Sequence, residues 1–131
     1  LRAATVASLL GGTRAGAGAP RDATLLGALF ESLVTLSIQV MAQSQEAHVG
    51  YLRTKNGDHE VDLIVTNLEG RVLAIEIKLT ASPNDQDMRH LRWLRERLGE
   101  DLLDTVVITT GPYAYRTADG IAVVPAALLG P

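Results

Sequence analysis

The 131-residue sequence predicts an α/β domain in the order helix, three strands, helix, strand, with a mixed sheet flanked by helices. Three observations predict it. Residues 25–41 form an apolar stretch of helical length, and three strand-like runs follow it at hairpin spacing. An amphipathic segment with its own start and stop signals then separates the third run from a β-branched fourth, Thr105 to Thr110.

Residues 1–20 read apart from the rest. Leu1 to Leu10 have weak helical character and lead into a glycine-rich loop, Gly11-Gly12-Thr13-Arg14-Ala15-Gly16-Ala17-Gly18-Ala19-Pro20. No Gly-Lys-Ser/Thr follows this loop and no strand precedes it, so the chain carries no ATP site of its own. The domain proper is expected over residues 21–131. Asp22 or Thr24 is placed to cap the long helix, which runs to about Gln43.

The strand-like runs are His48 to Thr54, His59 to Thr66 and Arg71 to Leu79. Lys55-Asn56-Gly57-Asp58 joins the first two and Asn67-Leu68-Glu69-Gly70 the next two, which makes an antiparallel meander. Ser82 is a natural N-cap for the second helix, with Pro83 at its first position and Asp85 in its first turn. Met88, Leu91, Leu94 and Leu98 form its apolar stripe, and Gly99 stops it. A helix between the third and fourth strands permits a crossover, so that pair is expected to be parallel. Ile121 to Val124 is a last short strand before a turn at residues 125–127.

Composition narrows the chemistry. Hydrophobic residues make up 47% and charged residues 21%, the balance of a globular domain with one core. A net charge of −3 gives no whole-molecule attraction to nucleic acid, so any such contact needs a local patch. With no cysteine and only His48, His59 and His90, thiolate zinc sites are excluded and metal chemistry falls to oxygen ligands. That favours magnesium, manganese or calcium over zinc. The stretch Leu25 to Met41 is broken by Glu31, Ser32, Thr35, Ser37 and Gln39 and falls short of the ~20 apolar residues of a membrane span. A buried core helix with no membrane partner is the expectation. No basic n-region follows Leu1, which fits a cytoplasmic protein, and a start without methionine fits a fragment of a longer chain.

The second and third strands hold the chemically distinctive residues. Alternation puts Val61, Leu63 and Val65 on one face of the second strand and Glu60, Asp62 and Ile64 on the other. On the third, Leu73, Ile75, Ile77 and Leu79 share one face while Ala74, Glu76 and Lys78 share the opposite one. A hairpin closed at residues 67–70 brings Asp62 level with Glu76. Two adjacent carboxylates repel unless a cation intervenes, and a hard divalent metal supplies one. The competing reading is a solvated Glu-Lys edge pair of little energetic consequence. Glu31 tips the balance, as the only acid between Asp22 and Glu46, set among Leu26, Leu29, Phe30, Leu33 and Val34. Its own alternative is a glutamate on the wet side of the helix.

At this point the sequence resembles a known family. The helix glutamate, the strand-two aspartate and the Glu-x-Lys of strand three resemble the PD-(D/E)XK nuclease superfamily, with its restriction-endonuclease-like αβββαβ core. More closely, Leu29-Phe30-Glu31-Ser32-Leu33-Val34, Glu60-Val61-Asp62-Leu63-Ile64, Ile75-Glu76-Ile77-Lys78 and His90-Leu91-Arg92-Trp93-Leu94 resemble a domain of unknown function. That domain is found at the C-terminus of bacterial and archaeal AAA+-type ATP-binding proteins. The resemblance implies Asp62 and Glu76 as ligands of Mg²⁺ or Mn²⁺, with the Ile77 carbonyl as a third oxygen. It implies Lys78 as the catalytic lysine and Glu31 as the helix acid. Val61-Asp62 stands where the superfamily's name-giving motif has Pro-Asp.

Two functions follow. One is a metal-dependent phosphodiesterase acting on DNA or RNA; the other is a non-catalytic interaction or regulatory module serving an N-terminal ATPase domain of the same chain. A partner surface is expected on the second helix, where Arg89, Trp93 and Arg97 fall opposite the apolar stripe with Arg92 beside it.

Overall fold

The structure, a computed structural model, describes residues 24–129. The expected helical turn and glycine-rich loop of residues 1–20, and Asp22, lie outside the described residues. The elements are helix α1 (Leu25–Ser44), strands β1 (His48–Arg53), β2 (Glu60–Thr66) and β3 (Val72–Ile77), helix α2 (Asp85–Leu98), then β4 (Leu102–Thr109), β5 (Tyr115–Arg116) and β6 (Ala122–Pro125). Short 3₁₀ turns follow α2 and β6. The fold is α/β, as expected, with a mixed sheet in the order β1-β2-β3-β4-β6-β5.

The connections follow local chemistry. Asn67 Oδ1 accepts from the N–H groups of Glu69 and Arg71, and Gly70 takes φ 82°, a left-handed conformation open to glycine at little cost. This closes the β2–β3 hairpin, and β1, β2 and β3 pair antiparallel in sequence. The crossover through α2 then makes β3 and β4 parallel, as expected, and β4 and β6 are parallel too. The two-residue β5 edges the sheet beside β6 and was not foreseen in the sequence.

Helix α1 starts at Thr24, whose Oγ1 accepts from the Gly27 N–H at 2.9 Å. Helix α2 starts two residues later than expected. Asn84, not Ser82, is the N-cap: its side chain accepts from the Asp87 N–H and the Asp87 carboxylate accepts in return from the Asn84 N–H. That reciprocal capping box satisfies two end donors at once.

Two cores sandwich the sheet. Met88, Leu91, Leu94 and Leu98 of α2 pack on Leu52, Ile64, Val72, Ala74, Val107 and Val123. On the other face Val34, Ile38 and Ala42 of α1 pack on Val49, Leu63, Ile75, Ile77 and Ile108. Here the expectation of a buried core helix is only half met. By length and composition α1 would suit a membrane span, but a third of its most apolar window is buried against the sheet. Leu26, Leu29, Leu33, Leu36 and Val40 are exposed. An apolar cavity of about 390 Å³ lies under its C-terminal half, lined by Ile38, Ala42, Val65, Leu73, Val106 and Leu129.

An ion-pair network ties α2 to the turn before β6. Arg92 Nε donates to Asp119 Oδ2 at 2.8 Å and its Nη2 to Asp85 at 3.2 Å, while Arg95 donates to the Asp119 carbonyl at 2.9 Å. The Arg92 guanidinium, aided by the Thr117 hydroxyl, holds the Asp119 carboxyl well below the ordinary carboxylate range. A depressed folded pKa stabilises above the unfolded value of about 3.9 and loses that contribution as pH falls through the folded value. Asp119→Asn is therefore expected to lower the thermal midpoint by the same margin from neutral pH down to about pH 4, the gap closing only in stronger acid. Calorimetric unfolding of both proteins across that range checks it.

Candidate functional site

Strands β2 and β3 form an ordinary ladder from Thr66–Val72 to Leu63–Ile75 and stop there. One step on, where Asp62 meets Glu76, side chains take over from backbone. The Asp62 N–H donates to Glu76 Oε1 at 3.1 Å, and the Ile77 N–H donates to Asp62 Oδ2 at 2.7 Å. Each carboxylate thus holds the opposing strand's backbone, and both are buried, Asp62 at 7% exposure and Glu76 at 0%. Lys78 Nζ lies 3.5 Å from Glu76 Oε2 and is itself more than a quarter exposed, at the rim of the site. Two carboxylates and an ammonium do converge.

The route differs from simple alternation. Gly50 pairs with Ile64 and Leu52 with Val61, so Tyr51 alone faces both Asp62 and Leu63. This bulge in β2 puts Val61 and Ile64 in the same core, under α2, and Leu63 in the other, under α1. The expected grouping of Val61 with Leu63 therefore fails. An inserted residue resets the period-two pattern and re-aims the side chains around it. On β3 no bulge intervenes, and Ala74 and Glu76 keep their expected side.

Past Ile77, the Lys78 N–H still donates to the Ile108 carbonyl, and the Thr110 N–H to the Thr80 carbonyl. The Lys78 segment is thus held beside the end of β4. Gly111 is required there by space: a Cβ on it would meet the Ala81 carbonyl oxygen at 2.5 Å. No local pattern in the sequence marks this junction. The site lies at the carboxyl ends of parallel strands, where open α/β sheets place their ligands.

Glu31 is half-buried on α1, one turn before Val34 and Thr35. Helix α1 packs through Val34, Ile38 and Ala42 on the sheet face that carries Ile75, Ile77 and Ile108. The α2 residues have intramolecular roles. Trp93 stacks on His59 with centroids 4.0 Å apart and planes 10° apart, and the Arg97 guanidinium lies 5.2 Å over the indole. His90 meets His59 edge-on and its Nδ1 accepts from the Glu60 N–H. Arg92 is held by Asp119 and Asp85, while Arg89 is exposed.

Among the described residues, no group of three or more His, Cys, Asp and Glu side chains is arranged to hold a metal ion. Asp62 and Glu76 offer two hard oxygen donors, and the Ile77 carbonyl follows directly in the chain. This set suits a cation that takes one or two carboxylates and fills its remaining positions with water and phosphate oxygens.

The chain belongs to the family described as domain of unknown function (DUF4143), whose pattern matches residues 26–129. No curated protein matches it. Among solved structures, protein VC1899 from Vibrio cholerae is similar at 16% identity and a TM-score of 0.49, over 82% of this chain and 33% of that one. The chain thus spans a third of the length of that protein.

The reciprocal bonds make a stability prediction. Asp62→Ala leaves the buried Ile77 N–H without its acceptor and is expected to cost about 1–3 kcal/mol. Asp62→Asn keeps an oxygen for that N–H and removes one of two adjoining negative charges, so it is expected to match or exceed the wild type in metal-free buffer. Urea unfolding of the three proteins in chelator checks the order.

Proposed function

We propose that this domain is a PD-(D/E)XK-type phosphodiesterase centre that cleaves DNA or RNA with Mg²⁺ or Mn²⁺. The observation that carries the reading is the buried Asp62–Glu76 pair, cross-held to the opposing strands at the point where their ladder ends, with Lys78 beside it. Burying two carboxylates side by side costs several kcal/mol, and a structural role alone is met more cheaply by apolar residues. Asp62, Glu76 and the Ile77 carbonyl would hold the metal. When bound, it supplies the positive charge that offsets the pair and polarises a phosphate oxygen.

The chain's own residues do the rest. Backbone N–H groups fix one oxygen of each carboxylate and so fix the orientation of the pair. Lys78, anchored by its N–H to Ile108 and reaching the rim, orients the attacking water and offsets charge gathering on the phosphate. Glu31, half-buried on α1, is the helix acid that the resemblance implies. The reading sets the domain in the cytoplasm, on a chain that also carries an N-terminal AAA+-type ATPase.

Cleavage of single- and double-stranded DNA and RNA is expected to need Mg²⁺ or Mn²⁺, and Lys78→Ala to slow it by roughly 100-fold or more with the circular dichroism spectrum unchanged. Equal rates in the wild type and a Glu76→Ala, Lys78→Ala double variant would assign the cleavage to a contaminant. Metal binding with no cleavage of any of these polymers would support the non-catalytic ATPase module instead.

A further inference from the structure

We propose that the exposed seam of α1 is the surface through which two copies of this chain pair, helix against helix across a two-fold axis. The seam is independent of the carboxylate site. Leu26, Leu29, Leu33, Leu36 and Val40 are each between 52% and 65% exposed, and their spacing alternates three and four residues. That period of 3.5 keeps an apolar line facing a second helix along its whole length. A lipid surface or an irregular peptide imposes no such period.

The opposite face of the same helix is already in use, since Val34, Ile38 and Ala42 are seated on the sheet. The seam therefore faces outward from a fixed support. The positions flanking it, Phe30, Ser32, Ser37 and Gln39, carry no charge, and the helix's one charged residue, Glu31, lies off the seam. Nothing repels an identical copy, and no charge pattern selects a different one. Complete cover of the five half-open or more exposed side chains in both copies would bury at most about 1,000 Å², which is at the threshold for a specific interface and in the range of weak pairing. Leu25, at 76% exposure, extends it at the N-terminal end. Membrane docking is a poorer fit, because α1 has no basic residue to meet anionic lipid.

Sedimentation equilibrium of the 131-residue chain tests this. A species of twice the 14.0 kDa chain mass is expected in the micromolar range, about 1–100 μM. Leu33→Glu with Leu36→Glu is expected to weaken pairing at least 100-fold or so while leaving the circular dichroism spectrum unchanged, since both side chains are exposed. The chain has no cysteine, so a single introduced thiol reports contact without interference. Leu33 is the middle residue of the seam and meets its own copy in either helix direction. Leu33→Cys is expected to form a disulfide-linked dimer under mild oxidation far faster than Leu68→Cys, placed on an exposed turn. A monomer throughout the range overturns the proposal, whether residues 1–23, a lipid vesicle or bulk solvent meets the seam instead. So does crosslinking no faster through Leu33→Cys than through Leu68→Cys.

Discussion

Two hydrogen bonds decide the shape of the sheet where β2 and β3 part. Where β2 and β3 stop exchanging backbone bonds, the carboxylate of Asp62 takes the Ile77 N–H and that of Glu76 takes the Asp62 N–H. Buried amide donors left open cost free energy comparable to a lost hydrogen bond, so the strands can separate here only because side chains take those donors. The carboxylates, in turn, can be buried only because backbone dipoles face them. Each half of the arrangement requires the other. Around it, the β2 bulge opposite Tyr51, the Gly111–Ala81 approach and the parallel β3–β4 pairing fix the neighbouring backbone.

Most of the scaffold was legible in the chain. Asn56-Gly57 and Asn67 with Gly70 are turn chemistry that local backbone requirements impose, and the stripe of α2 has a single spacing that buries all four of its leucine and methionine members. The proximity of Asp62 to Glu76 followed from hairpin closure alone. The bulge was not legible, because Val61, Asp62, Leu63 and Ile64 read as plain alternation and an inserted residue changes only the partner strand's count. The α2 cap was misplaced for a different reason. Ser82, Pro83, Asn84 and Asp85 are all start residues, and only the reply from Asp87 selects Asn84.

Contacts between distant segments lay further out of reach. Trp93 falls opposite the apolar stripe in the sequence, yet its indole stacks on His59, thirty-four positions earlier in the chain, with the Arg97 guanidinium 5.2 Å from the ring centroid. Tryptophan's size makes such cover the rule, but no local signal names the covering residue. For α1 the sequence showed apolar residues nearly all round, and that pattern cannot distinguish a buried helix from one with a face left over. Leu33 and Leu36 are exposed while Val34 and Thr35 between them are buried. A helix this apolar with only one face on its own sheet implies a second neighbour.

The account rests on Asp62 and Glu76 binding a divalent ion, and thermal unfolding with and without Mn²⁺ tests that most directly. A ligand that binds the folded state alone raises stability with its concentration, by about 2.7 kcal/mol at 100 times its dissociation constant. The wild type is predicted to gain thermal midpoint steadily as Mn²⁺ rises, and Asp62→Asn, folded but lacking the ligand charge, to gain none. An equal rise in both proteins, or none in either, would contradict the account.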